Sequence, residues 1–525
     1  MKLKLITLTL LFIPFYLLAQ KVEIIPQPNS IIYNNGYFTF DNETEFVLNN
    51  NLAQNKAITN SISFLFNKKS IPHTNKTNRI ELTLKKSLQE EEYELVVSKE
   101  KITLRFSHEK GAFYGLTSLF QLTKNKRIPA LVIKDSPRFK HRGFMLDVTR
   151  HFFPIDEIKK FIDVLSFYKI NNLHLHLTDD QGWRIEIKKY PKLQEIAAFR
   201  DETLIGHLLT DTPHVYKKER YGGYYTQEQL KDLVAYANSR FINIIPEIET
   251  PGHATAAIAA YPQLGCTNNT NLKPSGKWGI FEDIYCPKEE TFEFLENVLL
   301  EVINIFPSKY IHIGGDEVPF KQWKNSEIAQ KVMKENNLRD EQALHNYFIN
   351  RIGAFLRKHN REIIGWDEII DGGKTSKNAT VMSWRGEKGG IASAKMKRHA
   401  IMAPHPFMYF DQYQTSKNIE IEPLSIGGYL NVDSVYKYNP TPPSLSNKQK
   451  KYIKGIQANL WTEYIKTSDH LESMAFPRAL ALSEIAWTQE KNKNFNTFSQ
   501  KLRAHQAILD SFKINYSKYF FQNIH

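Results

Sequence analysis

Eight times between Arg142 and Glu463, a short apolar run ends in polar or acidic residues. The runs are RGFMLDV, NNLHLHLTDD, FINIIPEIE, YIHIGGDE, EIIGWDE, TVMSWRG, AIMAPHPFMYFD and KGIQANLWTE. They begin at Arg142, Asn171, Phe241, Tyr310, Glu362, Thr380, Ala400 and Lys454. Most are separated by stretches with apolar residues at helical spacing, over 154–168, 226–240, 289–306, 341–359 and 468–487. Strands that alternate with helices pair in parallel, because each helix returns the chain to the same end of the sheet. Eight such units over roughly 350 residues predict an α/β protein built on a (β/α)8 TIM barrel, whose site lies where the strands end. The long intervals 181–226 and 412–452 are expected as loops dressing that end.

Before the barrel the rhythm is shorter and mixed. RIELTLKK (from Arg79) alternates, YELVVSKEKITLRF (from Tyr93) has the form of a hairpin, and GAFYGLTSLFQLT (from Gly111) has helical spacing. A small α+β domain over 20–136 is therefore expected, then the barrel over 137–490 and a C-terminal helical segment over 491–525 that packs on it. Residues 1–19 begin with two lysines and continue with an apolar stretch from Leu5 to Leu18, the layout of a secretory signal. The stretch falls short of the ~20 residues a spanning helix needs, so stable membrane insertion is not expected. The mature protein is expected to be exported, periplasmic or extracellular. There the only two cysteines, Cys266 and Cys286, flank a polar loop and are expected to form a disulfide. The formal net charge is +13, but its lysines are scattered. A nucleic-acid partner would require a basic stripe.

The strand ends carry the chemistry. Asp316 and Glu317 stand side by side in HIGGDEVP, after two glycines that let the backbone turn or approach a ligand closely. Around them the other strand ends supply Arg142, Asp147, Asp179, His253, Trp366, Asp367, Trp384, Tyr409, Asp411, Trp461 and Glu463. Aromatic faces for the apolar side of a pyranose, with carboxylates and an arginine for its hydroxyls, are what sugar binding requires. His174 and His176 stand two apart on one strand face, a spacing that can bind zinc, so a metal hydrolase is the rival enzyme. No later histidines stand as obvious partners at the other strand ends, and neither a metal nor a cofactor is expected. A glycan-binding protein without catalysis is a second rival, one that would keep the aromatics and dispense with the acid Glu317.

RGFMLDVTRHF, HLHLTDDQGWRIEI, PEIETPGHATAA, HIGGDEVP, GWDEI and NLWTE occur in this order, and together the chain resembles the β-N-acetylhexosaminidases of glycoside hydrolase family 20. The resemblance implies exo-acting removal of terminal β-linked N-acetylglucosamine or N-acetylgalactosamine from an oligosaccharide or glycoconjugate. It gives Glu317 as the general acid/base and Asp316 as the group orienting the substrate's 2-acetamido group. It places Arg142 on the C3 and C4 hydroxyls, with Asp411 and Glu463 on the outer hydroxyls. Trp366, Trp384 and Trp461 would wall the acetamido pocket, Tyr409 would bond the acetamide oxygen, and Asp179 and His253 would form a relay behind the acid. The family often supplies a further tryptophan after strand seven. None lies between Asp411 and Trp461 here, which leaves Tyr429 or Tyr436 for contacts beyond the terminal sugar. The resemblance also implies a substrate-assisted route, which rationalises adjacent acids: a nucleophilic carboxylate would have to sit ~5 Å across the bond from the acid.

Overall fold

The eight apolar runs form eight parallel strands that close on themselves. They are β1 (His141–Asp147), β2 (Asn172–His176), β3 (Asn243–Glu247), β4 (Tyr310–His312), β5 (Glu362–Trp366), β6 (Thr380–Ser383), β7 (Ala400–Met402) and β8 (Ile453–Leu460). Strand β8 completes the circle by pairing with β1, from Gly455 against His141 to Leu460 against Leu146. The computed structural model describes residues 22–522 apart from 75, 125, 374 and 417–420. The secretory signal expected over 1–19 lies outside the described residues. Among the described residues no helix is long and apolar enough to cross a membrane.

Side-chain alternation sets the two faces of each strand. Outward residues are apolar and lie beneath the crossover helices: Phe144 of β1 packs on Phe161 of helix Ile155–Phe167, with ring centroids 6.1 Å apart. The interior is polar as well as apolar, since His174, His176, Glu247, His312, Gln457 and Asn459 are all buried there. Helix Gln227–Ser239 starts with a capping box from Thr226 to Gln229. It ends in a turn where Phe241 takes a φ of 58°, so β3 starts at Asn243 and not at Phe241. The single helical stretch expected over 468–487 is two helices, Ser468–Ala475 and Arg478–Trp487. Pro477 separates them, because it has no N–H to continue the hydrogen-bond ladder.

The loops around the mouth hold more structure than alternation revealed. Interval 181–226 contains a twisted hairpin, Phe199–Ile205 with Val215–Gly222. Its Leu204 joins Trp278 and Tyr464 in a small apolar cluster at the barrel's rim. Cys266 and Cys286 are disulfide-bonded, with Cα atoms 4.8 Å apart, and they close the loop that carries Trp278. Interval 412–452 includes the helix Val432–Lys437.

The N-terminal domain is a seven-stranded sheet that includes the expected hairpin, Tyr93–Val97 with Lys101–Phe106. Helices Lys56–Phe66 and Glu109–Thr123 belong to the same domain. Its contact with the barrel is charged and buried: Lys169 meets Asp135 at 3.1 Å, and the Trp487 indole donates to the same carboxylate at 3.0 Å. Past the barrel, helices Phe495–Ala504 and Gln506–Ser511 bury Phe498 against Tyr436 and set the His505 ring against Tyr168.

Candidate functional site

Where the strands end, a cavity of about 220 Å3 opens. Its wall gathers Asp179, His253, Asp316, Glu317, Trp384, Tyr409, Asp411, Trp461 and Glu463, nine of the residues singled out by sequence. The turn after β4 brings in the paired acids. Gly314 and Gly315 have φ of 66° and 95°, and Glu317 itself has a φ of 49°, in the left-handed region that costs energy for a side-chain-bearing residue. A Cβ on Gly314 would lie 1.7 Å from Oε2 of Glu249, so only glycine lets that buried carboxylate stack under the turn.

The two acids differ in environment. Glu317 has a side chain 35% exposed, within reach of incoming water, whereas Asp316 is buried and its Oδ1 has no hydrogen-bond partner in the protein. Burial, reinforced by Glu317 and Glu247, pushes Asp316 up to about 6 against the opposing pull of His253. The Oδ1 of Asp411 is likewise buried without a partner. Burial and the neighbouring Glu463 raise its carboxyl well above the usual range. The pocket therefore presents acceptors that lack donors, the complement of a ligand rich in O–H and N–H groups.

His253 connects the acids to the barrel interior. Its Nδ1 is 3.0 Å from Asp180 Oδ2 and 3.3 Å from Asp179 Oδ1, while Nε2 is 3.6 Å from Glu317 Oε2 and 3.8 Å from Asp316 Oδ2. Burial alone would lower its basicity, but these carboxylates raise it well above the ordinary histidine value. Behind it, burial again opposes charging of His176, yet Glu247 and Asp179 push it up to about 10. Asp179 is thus held between two imidazolium rings and the Arg150 guanidinium, which is 2.8 Å away. An alternating chain of charge runs from Glu247 through His176, Asp179 and His253 to Glu317.

Trp384 and Tyr409 stand nearly parallel, 6.2 Å apart, and Trp461 lies 6.2 Å from Tyr409. Trp384 is fixed by its indole N–H, which donates to Glu368 at 2.9 Å. Trp366 is not on the wall. It is 1% exposed, 5.9 Å beneath Trp461, and donates to Glu247 at 3.0 Å. It supports the aromatic floor from below. Beyond the pocket, Tyr436 is buried against Phe498 and faces no substrate path. Tyr429 is 37% exposed, and from the same loop it is Ile426 that reaches the pocket wall.

Arg142 is a correction. It sits at the start of β1, wholly buried, with its guanidinium on Glu91 of the N-terminal domain (2.8 Å), the Tyr114 hydroxyl (3.1 Å) and the carbonyls of Lys169 and Phe139 (2.7 and 2.9 Å). A strand advances ~3.3 Å per residue, so Arg142, near the start of β1, cannot reach the mouth that Asp147 reaches. The arginine at the site is Arg150, three residues after Asp147 in the same TRHF stretch. It bonds Asp147 at 3.2 Å and Gln181 at 2.9 Å, with its guanidinium 5.0 Å above the Trp461 ring. The signal was its position after the strand, since ligands meet strands at their carboxyl ends. The two arginines make different predictions for KM. Arg150→Ala raises KM for a sugar substrate by at least tenfold and also lowers thermal stability, because it strands the buried carboxylates of Asp147 and Asp179. Arg142→Ala strands Glu91 and costs about 3–5 kcal/mol of stability while leaving KM near normal. Paired Michaelis and thermal-melt measurements check this, and a KM effect confined to Arg142→Ala would reverse the assignment.

Sequence reasoning also missed Asp180, Glu247, Glu249 and His312. His312 does join His174 and Glu247, with donor atoms within 4.8 Å of one another, and two further groups, His176 with Glu247 and Glu249 and Asp179 with Asp180 and His253, are equally close. These are the residues that could hold a metal. The Glu247 carboxylate, however, already bonds His176, His312 (2.6 Å) and the Trp366 indole (3.0 Å). A protonated His176 is a donor to that carboxylate and not a ligand, because metal ligation needs the neutral ring.

The glycosyl hydrolase family 20 catalytic-domain model matches residues 139–490, and the model of that family's domain 2 matches residues 21–136. The chain is 45% identical over 442 residues to a β-hexosaminidase of Porphyromonas gingivalis, an alignment covering 82% of this chain and 55% of that protein. It is 34% identical over 475 residues to a β-hexosaminidase of Vibrio furnissii, covering 89% and 76%. The chain thus spans about half the length of the Porphyromonas relative. The crystal structure of a family 20 exo-β-N-acetylglucosaminidase from Vibrio harveyi in complex with N-acetylglucosamine superposes with a TM-score of 0.82 at 31% identity, covering 94% of this chain and 78% of that one. Matched from the N-terminal sheet through the last strand of the barrel, the chain belongs to glycosyl hydrolase family 20.

Proposed function

We propose that the protein is an exo-acting β-N-acetylhexosaminidase that removes a terminal β-linked N-acetylglucosamine or N-acetylgalactosamine with retention, using the substrate's own acetamide as nucleophile. The observation that carries this reading is Asp316: a buried carboxylate with an unpartnered oxygen, adjacent in the chain to the exposed acid and walled by Trp384, Tyr409 and Trp461. That position suits a group held against an N–H. In the first step the acetamide oxygen bonds to the anomeric carbon while the glycosidic oxygen departs with the proton of Glu317. The product is an oxazolinium ion, whose N–H and positive charge Asp316 stabilises. In the second step water attacks the same carbon, gives its proton to Glu317, and the oxazoline ring reopens. A cavity of about 220 Å3 accommodates one sugar ring, which favours action at a chain end.

Matched aryl β-N-acetylglucosaminide, β-N-acetylgalactosaminide and plain β-glucoside substrates test the proposal. Both acetamido sugars should be cleaved; hydrolysis of the plain glucoside at a comparable rate would sink it. A pH dependence follows. Asp316 must be ionised to stabilise the cation, and burial pushes its carboxyl up to about 6. Activity should therefore be present above that value, with kcat/KM falling as the pH drops through it. Asp316→Asn should remove this acidic limb, and a limb that survives unchanged belongs to another group.

The N-terminal layout of residues 1–19 supports export, and the disulfide suits an oxidising compartment. The mass of the mature protein's first peptide tests it: an N-terminus at Met1 would overturn export by cleavage.

A further inference from the structure

At the other end of the barrel, where the strands begin, lies a cavity of about 1030 Å3, far larger than the sugar pocket. No aspartate or glutamate lines it, against six lysines and arginines and two histidines. Three of the cations are neutralised from outside: Lys110 by Glu90, Arg138 by Glu490 and Lys309 by Glu362. Among the described residues Lys140, Lys451 and Lys454 have no carboxylate within 4.0 Å. Lys454 instead sets its ammonium against the Tyr310 hydroxyl and 4.5 Å from that ring's centre. The remaining wall supplies neutral donors and acceptors, as Asn243 donates to Asn172 at 3.1 Å and to Ser308 at 3.2 Å. The buried Nε2 of His141 has no hydrogen-bond partner. Burial and then the nearby Lys454 charge lower the basicity of His399, and Lys454 acts in the same direction on His141.

Lysines near helix C-termini are commonly explained by the helix dipole, whose negative end faces this side of a barrel. That account does not cover Lys140 and Lys454, which stand at the starts of β1 and β8. Three lysines without carboxylate partners line one hollow, and together they form a field that attracts a multiply charged anion. Lysines act there as point charges, and the amides and phenol add hydrogen bonds to oxygen.

We propose that this amino-terminal mouth binds a tetrahedral dianion, a phosphate or sulfate group, either free or carried as an ester on a larger molecule. The test is calorimetric titration of the full chain at constant ionic strength with inorganic phosphate and with glucose 6-phosphate, which lacks the acetamido group the catalytic pocket requires. Saturable binding of either should weaken at least tenfold in the Lys140→Glu/Lys451→Glu double variant, whose substitutions are on exposed side chains. Lys454→Met should weaken it similarly, with kcat on a neutral aryl substrate unchanged in both variants. Tighter binding of the ester supports a carried group; equal binding supports the free ion. Absence of saturable heat with both probes, or undiminished affinity in the double variant, would overturn the site.

Discussion

Glu317→Gln lowers kcat/KM by about 10²–10⁴-fold on an N-acetylhexosaminide whose aglycone leaves poorly, because the glutamine cannot donate a proton to the departing oxygen. The size of the loss depends on the leaving group. A nitrophenolate departs without protonation, so the first step of its hydrolysis is largely spared and the deficit moves to the second step, where the glutamine cannot accept a proton from water. The variant should then release a burst of phenol before slow turnover. Its fold should be intact, since the Glu317 side chain is 35% exposed and its buried neighbour His253 keeps its contacts with Asp179 and Asp180. His253→Ala is expected to act in the same direction and more weakly, because that ring approaches Glu317 only to 3.6 Å and works by setting the charge around it. Equal losses on good and poor leaving groups would mean that Glu317 is not the acid.

Much of this site was legible because barrel chemistry sits at strand ends, and strand ends can be found from where an apolar run stops. That rule located Asp316, Glu317, Trp384, Asp411, Trp461 and Glu463 without any knowledge of packing. Arg142 failed under the same rule: it precedes its run, whereas Arg150 follows it, and only the latter shares a cavity with Asp179. Trp366 sits at a strand end and still faces inward, because the direction of a side chain depends on alternation as well as position. Glu247 and His312 were invisible for a further reason. Each lies in an apolar-looking run, and their significance comes from pairing across β2, β3 and β4, which no linear spacing encodes. Pro477, in contrast, was in plain view, and its missing N–H splits the helix that apolar periodicity had drawn through it.

Asp316→Asn separates the two possible uses of a second carboxylate. If Asp316 were a nucleophile, a slow-leaving fluorinated sugar would leave a glycosyl ester on it, detectable by mass spectrometry of the trapped enzyme. If it steadies an acetamide-derived cation, no ester forms. A thiazoline mimic of the oxazoline should then bind the native enzyme far more tightly than the product sugar, since it exploits contacts that strengthen only as the cation develops. The asparagine keeps the shape of the side chain but loses the charge, so kcat should drop by about 10²–10³-fold, the scale seen when one preorganised electrostatic contact is removed. Affinity for the thiazoline should fall in parallel, while affinity for the uncharged product sugar changes less. The buried position makes the charge matter: with its Oδ1 buried and unpartnered, Asp316 faces the cation through a medium that screens less than bulk water. A covalent adduct on Asp316, or a thiazoline that binds native and Asp316→Asn enzyme alike, would return the protein to the two-carboxylate scheme.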